Sequence, residues 1–130
     1  MSIQRFVLGC FGIVFLGFGL AGVFTPEDIA QQINFVVEVP AAKMEFMATY
    51  GGFFLGIAAF MLYCLKDNVE LGLISVMFTM GAIFITRMIG YAVYGGADEL
   101  QVTYAVAELF SVVVALAVLK KAPVHNPVVA

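Results

Sequence analysis

The sequence predicts an all-α integral membrane protein: an antiparallel four-helix bundle with a short interfacial helix between helices one and two. Three observations carry that reading. The chain of 130 residues is 63% hydrophobic and only 12% charged, with a mean hydropathy of +1.06. A soluble domain this small could not hide so much apolar surface, because small folds leave much of their area exposed. Four apolar runs, at about 4–24, 41–65, 71–94 and 100–119, each approach the ~20 residues that a helix needs to cross a ~30 Å hydrocarbon core. Most charges fall between those runs rather than within them. One transmembrane domain, 1–130, is expected, with a tail at 120–130.

The first run carries no charge from Phe6 to Phe24, a stretch longer than a signal-peptide core of about 7–15 residues, so it is read as a transmembrane helix. Thr25-Pro26-Glu27-Asp28 is a helix-start signal, with Thr as N-cap, Pro in the first turn and acids at the positive dipole end. Ile29 and Ile33 share one face of that short helix, which is expected to lie along the membrane surface. Phe35–Val39 reads as extended, and Pro40 opens the second span. The second run is charge-free after Glu45, the third is broken only by Arg87 and the fourth only by Glu108. The tight connections Lys66–Glu70 and Gly95–Glu99 make helices two, three and four antiparallel neighbours in sequence.

The charges orient the bundle. Arg5, Lys66, Lys120 and Lys121 fall at one end, while the opposite connections hold Glu27, Asp28, Glu38, Asp98 and Glu99. By the positive-inside rule both termini are cytoplasmic. Lys43 lies near the outer boundary, where its stem can snorkel.

Arg87 is the most informative residue. A cation at a helix centre costs about 2.5–3.5 kcal/mol on insertion scales, so it needs a partner or water. Counting ~1.5 Å per helical residue places Glu45, Arg87 and Glu108 at similar depth in the outer half of the bilayer. Helical spacing puts Gln101, Tyr104, Glu108 and Ser111 on one face, and Arg87, Tyr91 and Tyr94 on another. Glu45 and Thr49 continue into Gly52, Gly56 and Ala59, a small stripe that permits close helix approach. The candidate binding residues are therefore Glu45, Thr49, Arg87, Tyr91, Tyr94, Gln101, Tyr104 and Glu108. Two acids against one Arg leave an unmatched negative charge, which favours a wet pocket with an anionic or polar head group at Arg87. The plainer alternative is a structural ion pair, with the tyrosines as an interfacial belt.

The remaining composition narrows the chemistry. No basic cluster points to nucleic acid. Cys10 and Cys64 form no metal-ligand spacing and read as packing residues. Met61, Met77 and Met80 read as lipid-facing or packing residues. The only histidine, His125, lies in the tail, so no bis-His haem can be built. No nucleotide loop and no GxSxG occur. No cofactor or catalytic residue is identifiable and no metal site is expected, while quinone or lipid binding survives.

Four features in order resemble the DoxX-like four-helix membrane proteins, and within them an uncharacterised bacterial family known as a domain of unknown function. They are the Gly-rich first helix ending in Thr25-Pro26-Glu27, Glu45 followed by Tyr50-Gly51-Gly52, Arg87 in the third helix, and Ala107-Glu108-Leu109 in the fourth. Relatives often carry a basic residue two positions after the helix-two glutamate, where this chain has Met47. The resemblance implies a four-helix fold in a bacterial inner membrane and no settled activity.

Three functions follow. The first is binding of a small amphipathic ligand (a lipid, a quinone or a membrane-soluble metabolite) at the Glu/Arg/Glu cluster. The second is an accessory or structural subunit of a larger membrane complex, with the charges locking the bundle. The third is an enzyme using a glutamate as general acid or base. Expected partners are the lipid bilayer and either copies of this chain or other membrane subunits.

Overall fold

A computed structural model describes residues 2–96 and 98–121. Among these residues the secondary structure is entirely helical. Helix α1 is Ile3–Phe24, α2 is Pro26–Gln32, α3 is Pro40–Asp67, α4 is Val69–Tyr94 and α5 is Glu99–Lys120. Four of them, all but α2, are long and apolar enough to cross a membrane. His125 and most of the tail lie outside the described residues.

Each terminus has a local cause. The Ser2 hydroxyl accepts from the Arg5 amide and opens α1. Thr25 holds the N-cap position of α2, but its hydroxyl donates backwards to the Ala21 carbonyl and closes α1 instead. Pro26, Glu27 and Asp28 start α2 as the sequence predicts. Ile29 and Ile33 pack on the protein's own cap around Ala30, Val37 and Phe46. Asn34 adopts the left-handed conformation, φ 58°, which Asn tolerates better than most residues. The chain turns there, and the Phe35 amide donates to the Ala30 carbonyl. Asn68 alone separates α3 from α4, and its side chain accepts from the Leu71 amide. That cap starts α4 at Val69, two residues before the predicted 71.

Helix α3 is not uniform. Pro40–Phe46 and Phe53–Asp67 are α-helical, and Met47–Gly52 between them is a π-helical turn. A π turn adds a residue and rotates everything beyond it. The buried face accordingly steps from Phe46 to Gly51, then to Ala58, Met61 and Cys64. The stripe Glu45, Thr49, Gly52, Gly56 and Ala59 is exposed along its whole length. It does not mediate close approach within the bundle, contrary to expectation.

Two helix pairs form the bundle. The contact of α1 with α3 is the most extensive, and that of α4 with α5 comes next. The main core joins them through Leu8, Phe15, Ala58, Met61, Leu73, Val76, Ala115 and Val118. Met61, Met77 and Met80 pack in or against it. Cys10 is exposed and Cys64 buried, both as free thiols.

The ends of the bundle are chemically distinct. At one, Arg5 donates to the Lys66 carbonyl and Gln4 to the Val118 carbonyl. At the other, Asn34 donates to Asp98 and Lys43 pairs with Glu27. Between the ends, Ile13, Phe78, Ile85, Val106 and Phe110 are exposed on the outer surface of the helices. Water is a poor solvent for such a surface, and a bilayer is a good one.

Candidate functional site

The site is built by the turn between α4 and α5. Gly95 and Gly96 both have positive φ, 64° and 69°, a conformation that glycine adopts without cost. Asp98 then caps α5 by accepting from the Gln101 amide at 2.8 Å. That cap fixes the phase of α5, so Gln101, Tyr104 and Glu108 face α4 at the level of Arg87.

Arg87 meets Glu108 through a forked contact. Its Nε donates to both carboxylate oxygens at 3.0 Å, and its Nη2 donates to Oε1 at 2.5 Å. The Glu108 side chain is 9% exposed and that of Arg87 20%. Nη1 donates to the Gln101 side-chain carbonyl. The Tyr104 ring lies under the guanidinium, with its centroid 5.5 Å from Cζ. Fork-shaped pairing of this kind is the strong form of the arginine–carboxylate contact.

Arg87 of this pair forms the floor of an open cleft of about 420 Å³. Ile83, Thr86, Gly90 and Tyr91 of α4 line it with Arg87, and Gly95, Gly96 and Gln101 complete the rim. The Tyr91 hydroxyl is buried and has no hydrogen-bond partner among the described residues. An orphaned hydroxyl of that kind costs free energy unless a ligand or water meets it.

The other predicted residues fall elsewhere. Glu45 is exposed and makes no hydrogen bond or ion pair with Arg87. Its stretch of α3 packs on α2 and on the π turn. Lys43, two residues before it, is held by Glu27. The Thr49 hydroxyl donates to the Glu45 carbonyl at 2.6 Å. Tyr94 is 88% exposed and stands clear of the cluster. The expected group of three charges is therefore one neutral pair, and the unmatched negative charge disappears with it. Thr86 and Gly90 were not among the expected residues, although Gly90, three residues on from Arg87, shares its helix face.

Among the described residues no group of three His, Cys, Asp or Glu side chains could hold a metal ion. A second cleft of about 540 Å³ lies on the cap, between α2, the 33–39 connection and Lys43.

The chain belongs to the family described as a domain of unknown function (DUF4345), which it matches over residues 3–119. No curated protein matches the chain. No solved structure matches it.

Proposed function

We propose that this family member is a multi-pass protein of a bacterial inner membrane, of the DoxX-like type, with both termini cytoplasmic. In this reading it binds a small amphipathic ligand, such as a lipid, a quinone or a membrane-soluble metabolite, at Arg87. One observation supports the reading above the others. Arg87, already paired with Glu108, is the floor of an open cleft, with a Tyr91 hydroxyl unpartnered among the described residues beside it. A pair serving only to lock two helices needs no such opening. The apolar wall at Ile83 and Gly90 suits a tail running along α4, not toward Gly52 and Gly56, which face away.

Native mass spectrometry of wild type and Arg87→Gln tests the reading. A specific co-purified small molecule, lost in the folded variant, is the expected result. Bare protein in both samples would favour the second reading, an accessory subunit. That reading draws on the forked pairing, which satisfies Glu108 without a ligand. Orientation has its own test. In a background of Cys10→Ser and Cys64→Ala, Glu38→Cys should react with an impermeant thiol reagent added to intact cells. Reaction only after lysis would invert the topology.

A further inference from the structure

The chemistry left free in the cleft specifies the head group. A guanidinium has five N–H donors. Glu108 occupies the one on Nε and one on Nη2, and Gln101 occupies one on Nη1. One N–H on each terminal nitrogen remains. Because the Gln101 side-chain oxygen accepts from Arg87, its NH₂ group is turned to donate, and it has no partner among the described residues. The Tyr91 O–H is likewise unpartnered. All three residues lie at the cleft or on its rim. The free capacity of the Arg87 guanidinium and the Gln101 NH₂ group is thus of donors alone, while the Tyr91 hydroxyl can donate or accept.

The net charge is the second constraint. Arg87 is neutralised by Glu108 in direct contact, so the floor offers N–H groups without a free positive charge. The rim turn Gly95–Gly96 leads into Asp98 and Glu99, two acids that disfavour a negative ligand. An anion would gain hydrogen bonds here but would leave water with no compensating charge. A neutral acceptor takes the same hydrogen bonds at a much smaller desolvation cost.

We propose that the Arg87 cleft selects an uncharged carbonyl oxygen, carried by an apolar tail, and rejects anionic head groups. The proposal rests on the binding reading given above and narrows it. A quinone ring and an acyl ester both supply such an oxygen. Arg87 and Gln101 would hold it from the floor and rim, and the Tyr91 hydroxyl, covered in this structure, would turn to donate from the wall. The tail would lie along Ile83, Thr86 and Gly90.

The test is calorimetric titration of the full chain in detergent with three ten-carbon probes: decylbenzoquinone, ethyl decanoate and decyl phosphate. At least one carbonyl probe should saturate with a Kd about tenfold or more below that of decyl phosphate. Which of them does so separates a quinone from an ester source. Tyr91→Phe, which keeps the ring, should weaken that probe by about three- to tenfold, the size of one hydrogen bond. Tighter binding of decyl phosphate would overturn the proposal while leaving amphipathic binding at Arg87 intact. Unaltered carbonyl affinity in a folded Tyr91→Phe would overturn the site. Saturation by none of the three probes would overturn both the proposal and the binding reading beneath it.

Discussion

The two helix pairs are held together by opposite means. Between α1 and α3 the backbones nearly touch. A Cβ added at Gly22 would stand 2.9 Å from the Gly51 nitrogen, and one at Gly19 would stand 2.8 Å from the Leu55 nitrogen. Arg5 bridges the two helices at one end, by donating to the Lys66 carbonyl, and along the close-packed stretch the Phe15 and Phe54 rings pack with centroids 5.5 Å apart. Between α4 and α5 the approach is looser. A Cβ added at Gly81 would meet Val112 at an ordinary 3.8 Å. Toward the turn, the seam is made of side-chain polar contacts and opens into a cleft. In a bilayer, packing of small residues and buried polar contacts are the two available sources of helix association. This protein uses one for each pair, and the cleft opens beside the polar pair.

That contrast can be broken from the polar side first. Arg87→Met strands a buried carboxylate, and removing one partner of such a pair costs about 3–5 kcal/mol. Unfolding in detergent should show the loss, and adding Glu108→Gln should recover part of it. Strict additivity of the two changes would mean that the residues are uncoupled. The close-packed seam should be the next most sensitive. Gly22→Ala pushes a methyl group against the Gly51 backbone, and overpacking of this kind costs about 1–3 kcal/mol. A smaller effect belongs to Tyr104→Leu, which removes the ring under Arg87 and should cost about 0.5–1 kcal/mol. Least of all should follow from Gly56→Ala, where an added Cβ meets nothing within 4 Å. A change of at most about 0.5 kcal/mol is expected there. A larger loss would show that the exposed stripe is covered by a partner or a second copy.

Much of this contrast was legible in the residues. Four apolar runs, their charged connections and the Pro26 and Pro40 starts located the helices. The spacing of Gln101, Tyr104 and Glu108 placed them together, and Arg87 needed an acid at its own depth. Glu45 was the error of inference. It sits at a fitting depth, but depth does not fix azimuth. The π turn at Met47–Gly52 changes which face is buried, and that shift lies in the backbone hydrogen-bond register. Hydrophobic periodicity does not encode it, because the segment reads equally well as a regular helix. The adjacent Gly51 and Gly52 were the only local hint, one buried against α1 and the other exposed. Thr25 misled in a similar way. Its position marked a helix boundary correctly, while its hydroxyl had two carbonyl and amide networks to choose between.

The central claim is that the opening beside Arg87 is there to be filled. Gly90 lines it, and a Cβ added at Gly90 meets nothing within 4 Å. Gly90→Leu should therefore occupy the cleft while leaving the Arg87–Glu108 pair untouched. Native mass spectrometry and thermal unfolding of wild type and Gly90→Leu, purified side by side, give the direct measurement. The account predicts a bound small molecule on the wild type, its loss from the variant, and cooperative unfolding of the variant at a temperature lower by the stabilisation the ligand supplied. The same bound species on both proteins, or none on either, would contradict it.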